Sequence, residues 1–517
     1  MKKHNTLGVL ASILSTSLAV GLVTGCEEAR QDEDLETDSV GTATDGPTTA
    51  TPTTGEETGA ADTSGGVLDV GNDTTPDLPG CAGDGTCNEI DLLFVIDNSG
   101  TMGEEQLNLA ANFPLLVDKL ENLEDSEGKR VNPSVNIMVT TTDMGHPLCT
   151  PFQKPDYTPR QGAPVYEGCN TRINRFTGLE MEDPTVITEA CTASCPSDVA
   201  PGQPFIHFDV EKTNVPNDDV GAALSCIGPQ GIDGCGYEAP LESMLQAINP
   251  GSCWNDPQQE RCDGGEFNGL NKGFLRDDAT LAVVIITDES DCSVTPPGGF
   301  SYFTEDDSYW AINPETEGPQ ASSAVCWNAG VQCNDEDGDG VYESCEADSS
   351  AGALHGVDRY VTYLNWLREE QDKEVIMLGI LGVPPVTAHN PDPPFEPIEG
   401  GLNDLVYRDW VDGEFDGTDM GGDILPDEWA EGVTADVKRF QFGDIGPGCT
   451  GQDADGNFTG QAIPPVRVRE VCESLNYTDE EGNDQIRCCV ESICSTDFSP
   501  AIECLTGIIQ ETIGPVG

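Results

Sequence analysis

"EIDLLFVIDNSGTM", residues 89–102, is the stretch on which the fold turns. Residues 89–97 form a nearly continuous apolar run. Such a run suits a strand buried on both faces, as in a parallel sheet. It stops at Asp97, and Ser99 and Thr101 follow at two-residue spacing. Alternation puts the carboxylate and both hydroxyls on one side of the segment leaving the strand.

Further apolar segments read as strands: "SVNIMVTTTD" (134–143), "ATLAVVIITD" (279–288), "EVIMLGILG" (374–382), and a short one near 489–493. Helical spacing separates them. Over 104–123, Leu107, Leu109, Ala110, Phe113, Leu116, Val117 and Leu120 recur on one side, with Pro114 predicting a kink or break. Helices are also expected near 218–226 and over 238–248, 356–371, 466–475 and 499–513. Strands alternating with helices imply an α/β fold with a doubly wound, mostly parallel sheet and helices on both faces. Irregular stretches rich in Cys, Pro and Gly, at about 144–233, 289–352 and 383–462, read as insertions into one domain over 81–517.

The chain has 93 acidic against 23 basic residues, a net charge of -70. Nucleic acid is therefore excluded as a partner and cations are favoured. Residues 1–25 read as a signal peptide, with Lys2 and Lys3 before an apolar stretch too short for a convincing membrane span. Val23-Thr24-Gly25 before Cys26 resembles a bacterial lipobox. That resemblance implies a lipid on Cys26 and a membrane held through it, on the outer membrane or cell surface. Residues 26–80, Thr-, Gly- and acid-rich without an aromatic, read as a disordered tether. As a Gly-rich coil it would span roughly 40 Å. Apart from Cys26, 20 of the 21 cysteines remain, an even number that predicts disulfides in an exported chain. Nearness in sequence suggests Cys81/Cys87, Cys191/Cys195, Cys253/Cys262 and Cys333/Cys345. The adjacent Cys488 and Cys489 read as partners in two separate bridges.

In an open parallel sheet, ligands sit at the carboxyl ends of the strands. Asp97 and Asp288 both occupy such ends, so two carboxylates and two hydroxyls are expected to converge. Hard oxygens of that kind suit Mg²⁺. The pattern resembles the metal-ion-dependent adhesion site of the von Willebrand factor A domain, and "VTTTDMG", "DGCGYEAPLESM" and "ITDESDCS" look like its cysteine-rich bacterial lipoproteins. The resemblance implies that Asp97, Ser99, Thr101 and Asp288 hold a divalent cation, whose open position takes a carboxylate from a protein partner. The family's Thr from a further loop has no counterpart here. Asp233 and Glu238 are the nearby oxygens, and Glu238 is taken as the further ligand; a carboxylate there is expected to favour Mn²⁺ or Ca²⁺ over Mg²⁺. Thr142 and Asp143 lie on the same rim.

"DEDGDGVYESCE", 335–346, carries Asp335, Asp337 and Asp339 at alternate positions, then Gly340 and Glu346. It resembles an EF-hand or thrombospondin type 3 Ca²⁺ loop, framed here by Cys333 and Cys345 rather than by helices. Enzyme signatures are absent: His4, His146, His207, His355 and His389 are scattered, and no HExxH, GxSxG or Walker-type loop occurs. Two readings stay open. One is a lipid-anchored envelope protein that binds a partner through a bridging cation. The other is a surface scaffold stabilised by Ca²⁺ and disulfides, with a non-functional adhesion site.

Overall fold

The computed structural model describes residues 87–513, except 126, 152, 179–185, 193–194, 253–254, 256–268, 297, 315, 416–420, 426–434, 453–455, 457 and 480. These all fall in one unit, Pro79–Gly517. The expected signal peptide, tether and Cys26 lie outside the described residues, as do Cys81 and the Cys253/Cys262 pair.

Six strands form the central sheet: β1 (Cys87–Ile96), β2 (Asn132–Thr141), β3 (Ile206–Phe208), β4 (Thr280–Ile286), β5 (Val375–Leu381) and β6 (Cys488–Ser492). Their order is β6-β5-β4-β1-β2-β3. Neighbours run parallel, except that β3 is antiparallel to β2. In β1 the residues from Ile90 to Ile96 are all buried, as a strand covered on both faces must be. Ile90, Leu92, Phe94 and Ile96 join one apolar cluster; alternation turns the residues between them to the opposite face. Asp91, the polar residue in the run, lies at the far end of the sheet from Asp97. There Arg276 pairs with it at 2.7 Å, yet burial still pushes its carboxyl up to about 6.

Two groups of helices cover the sheet. α1 (Gly103–Glu121) packs with α2 (Val220–Ile227) and α7 (Ser499–Thr512). α3 (Pro240–Ile248), α4 (Asp358–Glu369) and α6 (Val466–Glu473) pack together, while α5 (Ala435–Gln441) stands in the third insertion. α1 continues through Pro114 instead of breaking there. Gly221 of α2 comes so close that a Cβ on it would sit 3.4 Å from the Pro114 Cα, so tertiary packing holds the helix where propensity disfavours it.

The insertions are not mere decoration. The first supplies β3, which sequence reading missed, and α2. The second and third share a small core of Ala324, Trp327, Tyr407, Trp410 and Phe442. Eight disulfides occur among the described residues. Cys333–Cys345 forms as expected, and Cys488 and Cys489 bond separately to Cys472 and Cys504. The local Cys191/Cys195 pairing is wrong: Cys191 bonds Cys169, and Cys195 reaches Cys226 on α2. Bridges on this scale suit an oxidising, extracytoplasmic setting. Among the described residues, no helix is long and apolar enough to cross a membrane.

His146 ties the first two insertions together. Its ring packs against Tyr237, Phe300 and Phe303, with centroids 4.5, 5.1 and 4.5 Å away. Nδ1 accepts the Leu148 N–H at 3.2 Å, which fixes a neutral tautomer. Burial lowers the imidazole to about 4. The unfolded chain therefore takes up this proton below about 6.5 while the folded chain refuses it until about 4. Stability present above 6.5 is lost on acidification across that window, by up to about 3 kcal/mol. Urea melts at pH 7.5 and 4.5 are expected to show a smaller acid loss in His146→Phe than in wild type; equal losses in both would refute the assignment.

Candidate metal centre

β1 and β4 lie side by side, with Ile96 opposite Ile286. The Asp97 N–H donates to the Ile286 carbonyl at 2.9 Å. Adjacent parallel strands thus deliver Asp97 and Asp288 to one edge of the sheet. Asp97 is fully buried and Asp288 is 9% exposed. Asp97 accepts the Ser99 N–H on Oδ1 at 2.7 Å and the Thr287 hydroxyl on Oδ2 at 2.5 Å. Ser99 Oγ and Thr101 Oγ1 are 3.3 Å apart, and the Thr101 and Asp97 side chains both bear on the Asp288 charge. The four residues expected from sequence therefore gather at one edge of the sheet.

Second elements fix the loop. Gln106 of α1 donates to the carbonyls of Asp97 and Gly231, at 2.9 and 2.7 Å, and accepts the N–H groups of Gln230 and Gly231. The Gly234 N–H donates to the Asn98 carbonyl at 2.9 Å. A Cβ on Gly234 would sit 2.5 Å from the Asn98 side chain, so this approach requires glycine.

Glu238, immediately before α3, is fully buried and accepts the Thr142 hydroxyl. Its charge repels that of Asp97, so Glu238 belongs to the same group of buried acids. Asp233 does not: Arg175 and Lys154 hold it at 3.1 and 3.4 Å. Asp143 turns away to Tyr157, Gln153 and the Gly145 N–H. Sequence reading missed Glu289, next to Asp288, and Glu105 in the first turn of α1. Both interact with Asp97 and Asp288. The acid in "TDESD" and the acidic helix start were the available signals.

Burial, then repulsion from Asp288, pushes Asp97 up to about 7. Burial and neighbouring carboxylates likewise hold Glu105, Glu238 and Glu289 well above the carboxylate range. Asp288 Oδ1, Glu238 Oε1, Glu289 Oε2 and Glu105 Oε2 are buried without a hydrogen-bond partner among the described residues. Crowded acids with orphaned oxygens are costly unless a cation draws them together. The donors are all oxygens, which fits a hard divalent ion. α5 places Lys438 beside Asp288 and Glu289, where its charge favours their ionised forms. A cavity of about 450 Å³ opens over Ser99, Thr101 and Asp288, walled by Tyr237, Lys438 and Phe442.

The second cation sequence forms a hairpin between Val331–Asn334 and Ser344–Ala347, closed by Cys333–Cys345. Carboxylate oxygens of Asp335, Asp337 and Asp339 lie within 4.8 Å of one another. Glu346 is not in that group; it lies on the returning strand opposite Gln332. Glu343 is the nearer acid, accepting the Glu336 N–H at 3.0 Å and acting on the Asp337 charge.

No family model matches this chain, and no curated protein matches it. The functional reading therefore rests on the residues themselves.

Proposed function

We propose that this chain is a lipid-anchored envelope protein whose von Willebrand factor A-like domain binds a protein partner through a bridging divalent cation. The observation that carries the reading is the meeting of Asp97 and Asp288 at one sheet edge, with orphaned acid oxygens around them. Asp97, Ser99, Thr101 and Asp288, with Glu238, would hold Mg²⁺ or Mn²⁺. A bound ion offers a Lewis-acidic position to an incoming carboxylate. The cavity of about 450 Å³ above it admits an acidic side chain of the partner. Cys26 carries the lipid and tethers the domain to the outer membrane or cell surface. Asp335, Asp337 and Asp339 take Ca²⁺ and brace the second insertion. The role is binding rather than catalysis.

Lys438 favours a second reading, a scaffold with a silent site, because its ammonium offsets Asp288 and Glu289 without an ion. Surface capture of Glu-containing looped peptides, in Mg²⁺ and in EDTA, separates the two. Mg²⁺-dependent capture lost in Asp97→Ala is expected. Capture indifferent to both EDTA and the substitution, with EDTA still lowering the melting temperature, assigns the scaffold role.

A further inference from the structure

In a chain this acidic, Lys154, Arg160, Arg172 and Arg175 fall together in one short part of the first insertion. Arg160, Arg172 and Arg175 line a cavity of about 260 Å³, with Asn98, Thr141 and Tyr157 completing much of its wall. Asn98 follows β1 and Thr141 ends β2, so the cavity opens at the carboxyl edge of the sheet, where ligands collect.

Arg172 is the unusual member. Its Nε donates to the Glu167 carbonyl, and its terminal nitrogens donate to the carbonyls of Ile227, Pro229 and Gln230 and to Gln230 Oε1. None of these acceptors is a carboxylate. All five N–H groups are thus spent on uncharged oxygens that lock the guanidinium in place, while Glu167 and Asp233 act on its charge without a direct ion pair among the described residues. Burial, with Arg160 and Arg175 close by, lowers it to about 9. The other two arginines have acids, but looser ones: Glu167 lies 3.9 Å from Arg160, and Asp156 lies 3.4 Å from Arg175, with side chains 45% and 64% exposed. Arg175 also holds the buried Asp233.

A second observation is independent of the arginines. Thr141 is 4% exposed, and its Oγ1 has no hydrogen-bond partner among the described residues. Asn98 spends its amide on the Tyr157 hydroxyl at 2.9 Å, and Tyr157 spends its proton on Asp143 at 2.6 Å. Thr141 keeps a hydroxyl proton to give.

We propose that this cavity binds a small oxyanion, a carboxylate, phosphate or sulfate group, over the fixed charge of Arg172. Thr141 donates its hydroxyl, and Arg160 and Arg175 turn from their exposed acids to the ligand. Asp156 and Glu167 stand in the wall of the same cavity, so the anion competes with them for Arg175 and Arg160; acids beyond about 8 Å are screened at physiological ionic strength.

Isothermal titration of the full chain with phosphate, sulfate and malonate tests the site. Ionic strength is held by chloride, and EDTA keeps carboxylates from binding through a cation. Saturable one-site binding is expected for at least one anion, and the order of affinities tells tetrahedral oxyanions from carboxylates. Arg160→Ala and Thr141→Val are each expected to weaken it at least about tenfold, while circular dichroism confirms the fold. Arg172 itself is left intact because its five bonds hold the insertion together. Absence of saturable binding for all three anions, or unchanged affinity in both variants, overturns the proposal.

Discussion

Asp97→Asn is expected to weaken Mn²⁺ binding at the sheet edge by at least about 100-fold while raising the melting temperature in EDTA. Removing a charged ligand from a small hard-oxygen site accounts for the first effect. The second follows from crowding. Without an ion, the charge of Asp97 is set against that of Asp288, and Glu105, Glu238 and Glu289 add their own repulsion. Asparagine keeps an acceptor for the Ser99 N–H and a polar partner for Thr287, so it removes charge and little else. The sign with pH agrees. A carboxyl raised to about 7 from 3.8 binds its proton more tightly folded than unfolded, so the ion-free fold loses stability as pH rises across that window. Calorimetric titration with Mn²⁺ and melts in EDTA supply both readings, with Asp339→Ala as the control for the hairpin. A melting temperature that falls in EDTA, together with unchanged Mn²⁺ affinity, would refute the metal centre.

The sheet was largely legible because its strands are covered on both faces, and continuous apolar runs such as 280–286 have no other stable home. Strand ends were legible for the same reason: Asp97 and Asp288 stand where such runs stop. What escaped depends on long-range pairing. β3 is three residues long and finds its place by pairing Ile206, His207 and Phe208 with Ile137, Asn136 and Val135. Asp233 looked as able to bind a cation as Glu238, and only folding shows that Arg175 and Lys154 claim it. Lys438 comes from an insertion with no pattern linking it to β4. Cysteine spacing predicted the bridge that closes a tight hairpin, Cys333–Cys345. It failed at Cys191 and Cys195, whose partners are chosen by the packing of the first insertion against α2.

The second large effect is expected some way from the ligands, at the buried pair Asp291–Arg467. Asp291→Ala should cost about 3–5 kcal/mol in urea melts, because it strands a guanidinium inside the protein. Asp291 is fully buried and Arg467 is 1% exposed, with Nε and Oδ2 at 3.0 Å. The other Asp291 oxygen takes the Leu241 N–H at the start of α3 and the Ser293 hydroxyl, at 3.2 and 2.7 Å. Arg467 also donates to the His355 carbonyl at 2.6 Å, ahead of α4. One ion pair therefore clamps the loop after β4 to α3, α4 and α6. Arg467 Nη1 already lacks a partner among the described residues, so nothing nearby can absorb the loss of the carboxylate. The double variant Asp291→Leu/Arg467→Met removes both charges and should recover more than half of the cost, since apolar replacement of a whole buried pair is commonly tolerated. A single-variant cost below about 1 kcal/mol would show that the pair is dispensable. Asp291 follows Asp288 by three residues, so the clamp also sets the position of a proposed metal ligand. Mn²⁺ affinity should accordingly fall in Asp291→Ala and stay reduced in the double variant even as stability returns, because methionine and leucine fill the space without anchoring the loop to Leu241.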